Sequence, residues 1–183
     1  MRYVGYFETS GSPVCISELE RASKWHGIEG DYERLVEHLS TDIISFSKGQ
    51  EGIDFLFFNT ETGNFTVFTD SDKFLLAEIV YQPEDYSLSD ASIDFAAHTS
   101  KEAVFEMQNF GGRILFFPST FPGKEISLKN PGSGTTGMPD YPGAPPNTLV
   151  MDISEGSWRI CAFTYESEDG QVKLDGAMFE KNA

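Results

Sequence analysis

Positive charge is scarce in this chain: 13 Lys and Arg stand against 29 Asp and Glu, a formal net charge of −16 over 183 residues. A compact body so charged repels nucleic acid and anionic membranes, which argues against direct binding to DNA, RNA or acidic lipid. The surplus fits two readings, a basic partner drawn in by long-range steering or the plain solubility of an acidic protein. Long apolar runs are missing too. A helical membrane span needs about 20 apolar residues, and the sequence has no such stretch. Met1 to Gly11 has neither the apolar core nor the small-residue cleavage site of a targeting signal, so a cytoplasmic location is expected.

Cysteine and histidine are equally sparse. Cys15 and Cys161 are the only two cysteines. They pair if the fold joins them, or sit as small buried hydrophobes, as a reducing compartment favours. His26, His38 and His98 are not spaced as metal pairs and read as solvent-exposed; neither a metal site nor a cofactor is expected. Cys15 with His26 satisfies the bare requirement for a thiolate and its base, yet Cys15 sits in the apolar triplet Val14-Cys15-Ile16, where burial raises a thiol pKa. No catalytic constellation stands out, and the chain reads as a non-enzyme.

What is abundant points to strands. Sixteen Phe, seven Tyr and two Trp suit a pleated face, and 17 Gly with nine Pro supply turns. The length supports one substantial core, burying roughly 70% of the surface of the unfolded chain. The expectation is a single α+β domain over residues 1–183, mostly antiparallel β-sheet with two or three short helices.

Tyr3 to Glu8 and Val14 to Ile16, separated by Ser10-Gly11-Ser12-Pro13, read as a hairpin-like pair. Ser17 then looks like an N-cap for a helix from Glu18 to Trp25, stopped by Gly27, and a second helix spans Tyr32 to Leu39. Ile43–Ser47, Ile53–Phe58 and Phe65–Thr69 form an expected three-stranded meander, and Phe74–Tyr81 follows as a strand. Ser87 to Ala97 has room for a short helix. Val104–Gln108 and Arg113–Phe117, joined through Asn109-Phe110-Gly111-Gly112, read as a hairpin, and Thr148–Ile153, Ser157–Glu166 and Gln171–Phe179 as three final strands. Between them, nine of the 17 residues from Asn130 to Pro146 are Gly or Pro, which predicts a long loop within the domain.

That loop contains Gly132-x-Gly134-x-x-Gly137, the spacing of a dinucleotide fingerprint, but Met138-Pro139-Asp140-Tyr141-Pro142 cannot open the helix that the fingerprint requires. Carboxylates gather at Asp70-x-Asp72, Glu84-Asp85 and Glu166-x-Glu168-Asp169. Paired acids can serve hydrolysis or hold a hard cation, but each group sits at a predicted turn, where solvated acids are the rule, and Asp70 lacks the residue order of a calcium loop.

Several landmarks, taken in order, resemble the immunity protein 21 family, antidotes of bacterial polymorphic toxin systems. Tyr6-Phe7-Glu8-Thr9-Ser10-Gly11-Ser12-Pro13-Val14 is similar to that family's aromatic, Glu-Ser-Ser-Gly-Gly-Pro start. Leu19 through Trp25-His26-Gly27 resembles its helix ending in Trp and Gly, and Asp31-Tyr32-Glu33-Arg34 its Asp-Tyr-Asp-Arg segment. Phe116 to Gly123 matches its Tyr-Pro-Gly turn, and Leu149 to Ile160 its Leu-x-Leu-Asp strand pair. Ser12 in place of a second Gly and Trp158 in place of Tyr are departures.

The resemblance implies a non-enzymatic antidote that binds a cognate protein toxin, and a basic nuclease toxin agrees with the charge. For the docking surface the sequence offers Asp70, Asp72, Glu84 and Asp85 around one end of the expected meander, with Tyr86 as an aromatic anchor. The alternative is a small-ligand or carbohydrate-binding β-domain using Trp25, Tyr141 and Trp158.

Overall fold

A computed structural model describes residues 1–9, 11–38, 44–59, 61–84, 86–88, 92–125 and 148–182. The fold is α+β and mostly antiparallel sheet, as expected. Its strands are β1 (Arg2–Glu8), β2 (Val14–Glu18), β3 (Ile44–Lys48), β4 (Asp54–Phe58), β5 (Asn64–Thr69), β6 (Lys73–Tyr81), β7 (Thr99–Pro118), β8 (Leu149–Glu166) and β9 (Lys173–Lys181). They form one nine-stranded sheet in the order β1-β5-β6-β9-β8-β7-β2-β4-β3. Two short helices, α1 (Leu19–Ala22) and α2 (Tyr32–His38), lie near the positions expected, although Ser17 belongs to β2 and Glu18 precedes α1 without a side-chain cap. Of the short helix expected within Ser87–Ala97, residues 92–97 form irregular chain and turn, and residues 89–91 lie outside the described residues.

The two longest strands, β7 with 20 residues and β8 with 18, carry the architecture. The first half of β7 pairs with the second half of β8, as in Phe105 opposite Ile160, and its second half pairs with the start of β8, as in Ile114 opposite Met151. Between them the register slips around Phe110 and Gly112. There the backbone takes positive φ at Asn109 (54°), Gly111 (152°) and Gly112 (74°). A Cβ on Gly111 would stand 2.5 Å from Glu155 Cα, so only glycine lets the two strands approach at the bend. The expected hairpin at Asn109–Gly112 is therefore a bulged bend within one strand. Gly156, opposite Phe110, likewise lies inside β8 rather than between two strands. Gly-rich tetrapeptides serve a reversal and a bulge equally well; here both flanks find partners on the same neighbour, and the strand continues.

The bend folds the sheet over its own inner face. Phe58 of β4 meets Phe65 of β5 edge-on at 5.5 Å, although these strands lie near opposite margins of the sheet. Phe74 of β6 similarly approaches Phe116 of β7 at 5.9 Å, and Val14, Leu56, Val67, Met151 and Trp158 are buried in the same inner core. The outer faces carry two further apolar layers. One, with Cys15, Trp25, Phe55, Phe57 and Phe117, lies beneath α1 and α2; the other, with Phe68, Leu75, Phe163 and Leu174, lies beneath Leu88 and Ile93.

Two other local pairings are replaced by distant ones. β1 pairs with β5, and β2 with β4 and β7, so the opening segment is not a hairpin. The turn between them is held by Thr9 and Ser12, whose hydroxyls each donate to the other's carbonyl at 2.6 and 3.0 Å. β3 and β4 pair as expected, but β5 turns away to β1 and β6, which breaks the meander. Residues 61–63 are anchored by Glu78 Oε1, which accepts the N–H of Glu61 at 2.8 Å, of Gly63 at 3.3 Å and of Thr62. The final three expected strands are two, β8 and β9. The Pro/Gly-rich loop at 130–146, with its Gly132, Gly134 and Gly137, lies outside the described residues.

Candidate binding groove

Strand β6 decides which of the acidic turns share a site. Asp70 and Asp72 belong to the reversal that leads into Lys73, whereas Glu84 and Tyr86 follow its far end at Tyr81. Eight residue steps at about 3.4 Å place roughly 27 Å between the two ends. The expectation that these residues surround one end of a meander is thus corrected: they divide between opposite ends of the strand. Asp85 lies outside the described residues.

At the first end, the acids serve the turn. Asp70 N–H donates to Lys73 O at 2.8 Å, and Asp70 Oδ1 accepts the N–H of Ser71 at 2.8 Å. The Ser71 hydroxyl donates to Asp72 Oδ1. Asp70 also borders a cavity of about 470 Å³ shared with Arg2 and Asp152. Its lining mixes charges, Arg2 with Asp70 and Asp152, and Arg113 outside it grips Asp152 through two bonds of 2.8 and 3.0 Å.

At the second end, the chain turns after β6, with Tyr86 N–H donating to Pro83 O at 3.1 Å, and crosses the outer face of the sheet. An open groove of about 750 Å³ remains between this segment and the outer faces of β1 and β5. Tyr3, Tyr6, Tyr81 and Tyr86 line it, together with Asn64 and Glu84. Alternation along β1 turns Phe7 into the core and leaves its neighbours Tyr6 and Glu8 outside, Glu8 opposite Asn64 of β5. The register slip between Tyr3 and Gly5 adds Tyr3 to the same side, where its ring packs edge-on against Phe68 at 5.7 Å.

The electrostatics of the groove are one-sided. Tyr6 donates its hydroxyl to Glu8 Oε1, and its pKa is pushed up to about 12 by burial and by that carboxylate. Tyr81 donates to Glu166 Oε1 at 3.1 Å, and desolvation together with this bond raises its pKa. Burial raises Tyr3 as well. All three phenols therefore stay protonated at neutral pH, and the hydroxyls of Tyr6 and Tyr81 point their protons at carboxylates. No Lys or Arg is among the described residues lining the groove. The nearby Lys173, opposite Tyr81 on β9, is engaged by Asp175 at 3.1 Å.

Two of the three aromatic residues named for ligand binding are placed elsewhere. Trp25 and Trp158 are fully buried, and Trp25 Nε1 donates to Ser119 O at 2.7 Å. Tyr141 lies outside the described residues. Both cysteines are free and buried, and burial pushes the Cys15 thiol well up, so it cannot act as an accessible nucleophile beside His26. His26 is half-buried rather than solvent-exposed, its Nδ1 3.0 Å from Asp31 Oδ2, and His98 is half-buried against the rings of Phe163 and Tyr165. No group of three or more His, Cys, Asp or Glu is placed to hold a metal ion among the described residues.

Several landmarks of the family resemblance meet in a structural corner. Gly123 N–H donates to Trp25 O at 2.7 Å, Ile28 N–H to Thr120 O at 3.0 Å, and Gln50 N–H to the buried Asp31 Oδ1 at 2.7 Å. A Cβ on Gly123 would fall 1.6 Å from Ala22 O. The chain matches no protein-family model, no curated protein and no solved structure. Tyr3, Tyr6 and Tyr81 were not singled out by sequence. Their signal was the placement of Tyr6 and Glu8 two residues apart on the outward side of a strand.

Proposed function

We propose that this chain is a non-enzymatic, cytoplasmic immunity protein that binds and neutralises a cognate basic toxin. The observation that carries the reading is a net charge of −16 combined with a groove lined by tyrosines and Glu84 and by no described cation. Long-range attraction brings a basic polypeptide to such a body, and the rings, Tyr3 and Tyr86 half-buried and Tyr6 and Tyr81 exposed, supply the centre that a partner would desolvate. The ordered resemblance to immunity proteins supplies the biological setting. Glu84 and Tyr86 keep their proposed roles as steering charge and anchor, whereas Asp70 and Asp72, far along β6, act only through the overall field.

Co-expression with a toxin domain encoded beside this chain tests the reading, coupled to titration of the purified pair at low and high salt. Rescue of growth and binding that weakens with salt are expected. Failure to protect against any neighbouring toxin, or a complex indifferent to salt, would count against it. The four-tyrosine groove also supports a second reading, a small-ligand or carbohydrate-binding domain. Native mass spectrometry of the protein purified from its host distinguishes them: a retained metabolite favours the second reading.

A further inference from the structure

We propose that the tyrosine groove receives an arginine side chain of the partner polypeptide. The inference rests on the reading of this chain as a binder of basic protein and names the contact that makes the binding specific. Its starting point is the hydrogen-bonding inventory of the groove. Tyr6 and Tyr81 direct their hydroxyl protons to Glu8 and Glu166, so what they offer a newcomer is ring faces and oxygen lone pairs. Glu84 adds a carboxylate, while Asn64 and Gln82 contribute amides that accept as well as donate. An anion would meet no described Lys or Arg in the lining, and Lys173 nearby is held by Asp175.

A cation finds the reverse. Aromatic ring faces carry partial negative charge, and carboxylates accept the hydroxyl protons of two of the tyrosines. Arginine suits the site better than lysine, because its planar guanidinium is weakly hydrated, stacks on aromatic faces and spreads several donors toward carboxylates. The volume of about 750 Å³ exceeds one guanidinium and leaves space for residues on either side of it. The occupant is therefore a short basic segment with one arginine at its centre.

The test uses two blocked peptides of identical basic sequence, one with a central arginine and one with citrulline, its neutral isostere, titrated into the full chain and followed by the ring signals of its tyrosines. The arginine peptide should shift Tyr3, Tyr6, Tyr81 and Tyr86, and the citrulline peptide should bind at least about threefold more weakly. Tyr81→Phe, which keeps the ring and loses the hydroxyl, should bind the arginine peptide within about twofold of the wild type, and Tyr81→Leu about threefold or more weakly. Tyr81 is exposed, so neither variant should alter the melting temperature. Equal binding of both peptides, shifts confined to residues outside the groove, or equal losses in Tyr81→Phe and Tyr81→Leu would overturn the proposal. An intact basic partner that binds Tyr81→Leu as well as wild type, with the same salt dependence, would remove the arginine contact and leave the broader reading standing.

Discussion

Asp31 gives the sharpest measure of how the corner beneath α1 and α2 is held. Its side chain has no exposed surface. Oδ2 accepts His26 N–H at 2.8 Å and lies 3.0 Å from His26 Nδ1, while Oδ1 accepts Gln50 N–H at 2.7 Å, tying the segment before α2 to the β3–β4 turn. Asp31→Ala removes all three contacts and leaves the partly buried N–H groups of His26 and Gln50 without their acceptor. Bonds to a charged acceptor contribute about 1.5–3 kcal/mol each, with losses not additive, so a destabilisation of about 3–5 kcal/mol is expected. Asp31→Asn should recover little, because one amide oxygen can still accept from Gln50 while the amide nitrogen confronts the His26 N–H. Urea unfolding followed by tryptophan fluorescence reports the effect directly, since Trp25 is buried in the same layer. A loss below about 1 kcal/mol in Asp31→Ala with an unchanged slope would refute the reasoning.

Gly123→Ala and Gly52→Ala separate steric from conformational cost. The first places a Cβ 1.6 Å from Ala22 O and should cost more than about 3 kcal/mol, whereas Gly52, with φ of 76° and open space around it, should cost about 1 kcal/mol; comparable melting temperatures would contradict the packing at Gly123. For Tyr6, a folded-state pKa of about 12 against an ordinary value of 10.0 means that the folded state holds its proton more tightly. The resulting stability is fully present below pH 10.0 and is lost as pH rises toward about 12, so Tyr6→Phe should flatten the fall of melting temperature across that window. An unaltered alkaline profile in Tyr6→Phe would show that burial and the Glu8 contact do not raise the phenol as described.

The β-rich class and both helices were legible because aromatic content, turn residues and short helical stretches are local signals. Strand partnership was not. Asn109-Phe110-Gly111-Gly112 has the composition of a hairpin turn, and only the common neighbour β8, offering partners to Phe105 and Ile114 alike, makes it a bend. Likewise Phe65 follows Phe58 closely in the chain yet faces it across the core instead of lying beside it. The candidate groove was half legible: Glu84 and Tyr86 stand out as an acid and a ring at a turn. Tyr3 and Tyr6 join them because β1 crosses to β5, a pairing between Tyr6 and Thr66 that no window of adjacent residues contains. Asp70 and Asp72 show the converse hazard, since closeness in sequence across a strand means separation at its two tips.

The bent β7–β8 ribbon has a consequence for how the molecule comes apart. Its covalent chain and its ladder of amide bonds belong to both leaves of the folded sheet at once. A cut at the crease would leave each leaf only half of β7 and half of β8 and open inner phenylalanines to water, so neither leaf is a detachable module. Whatever changes at the outer loops, the crease itself must be inherited whole.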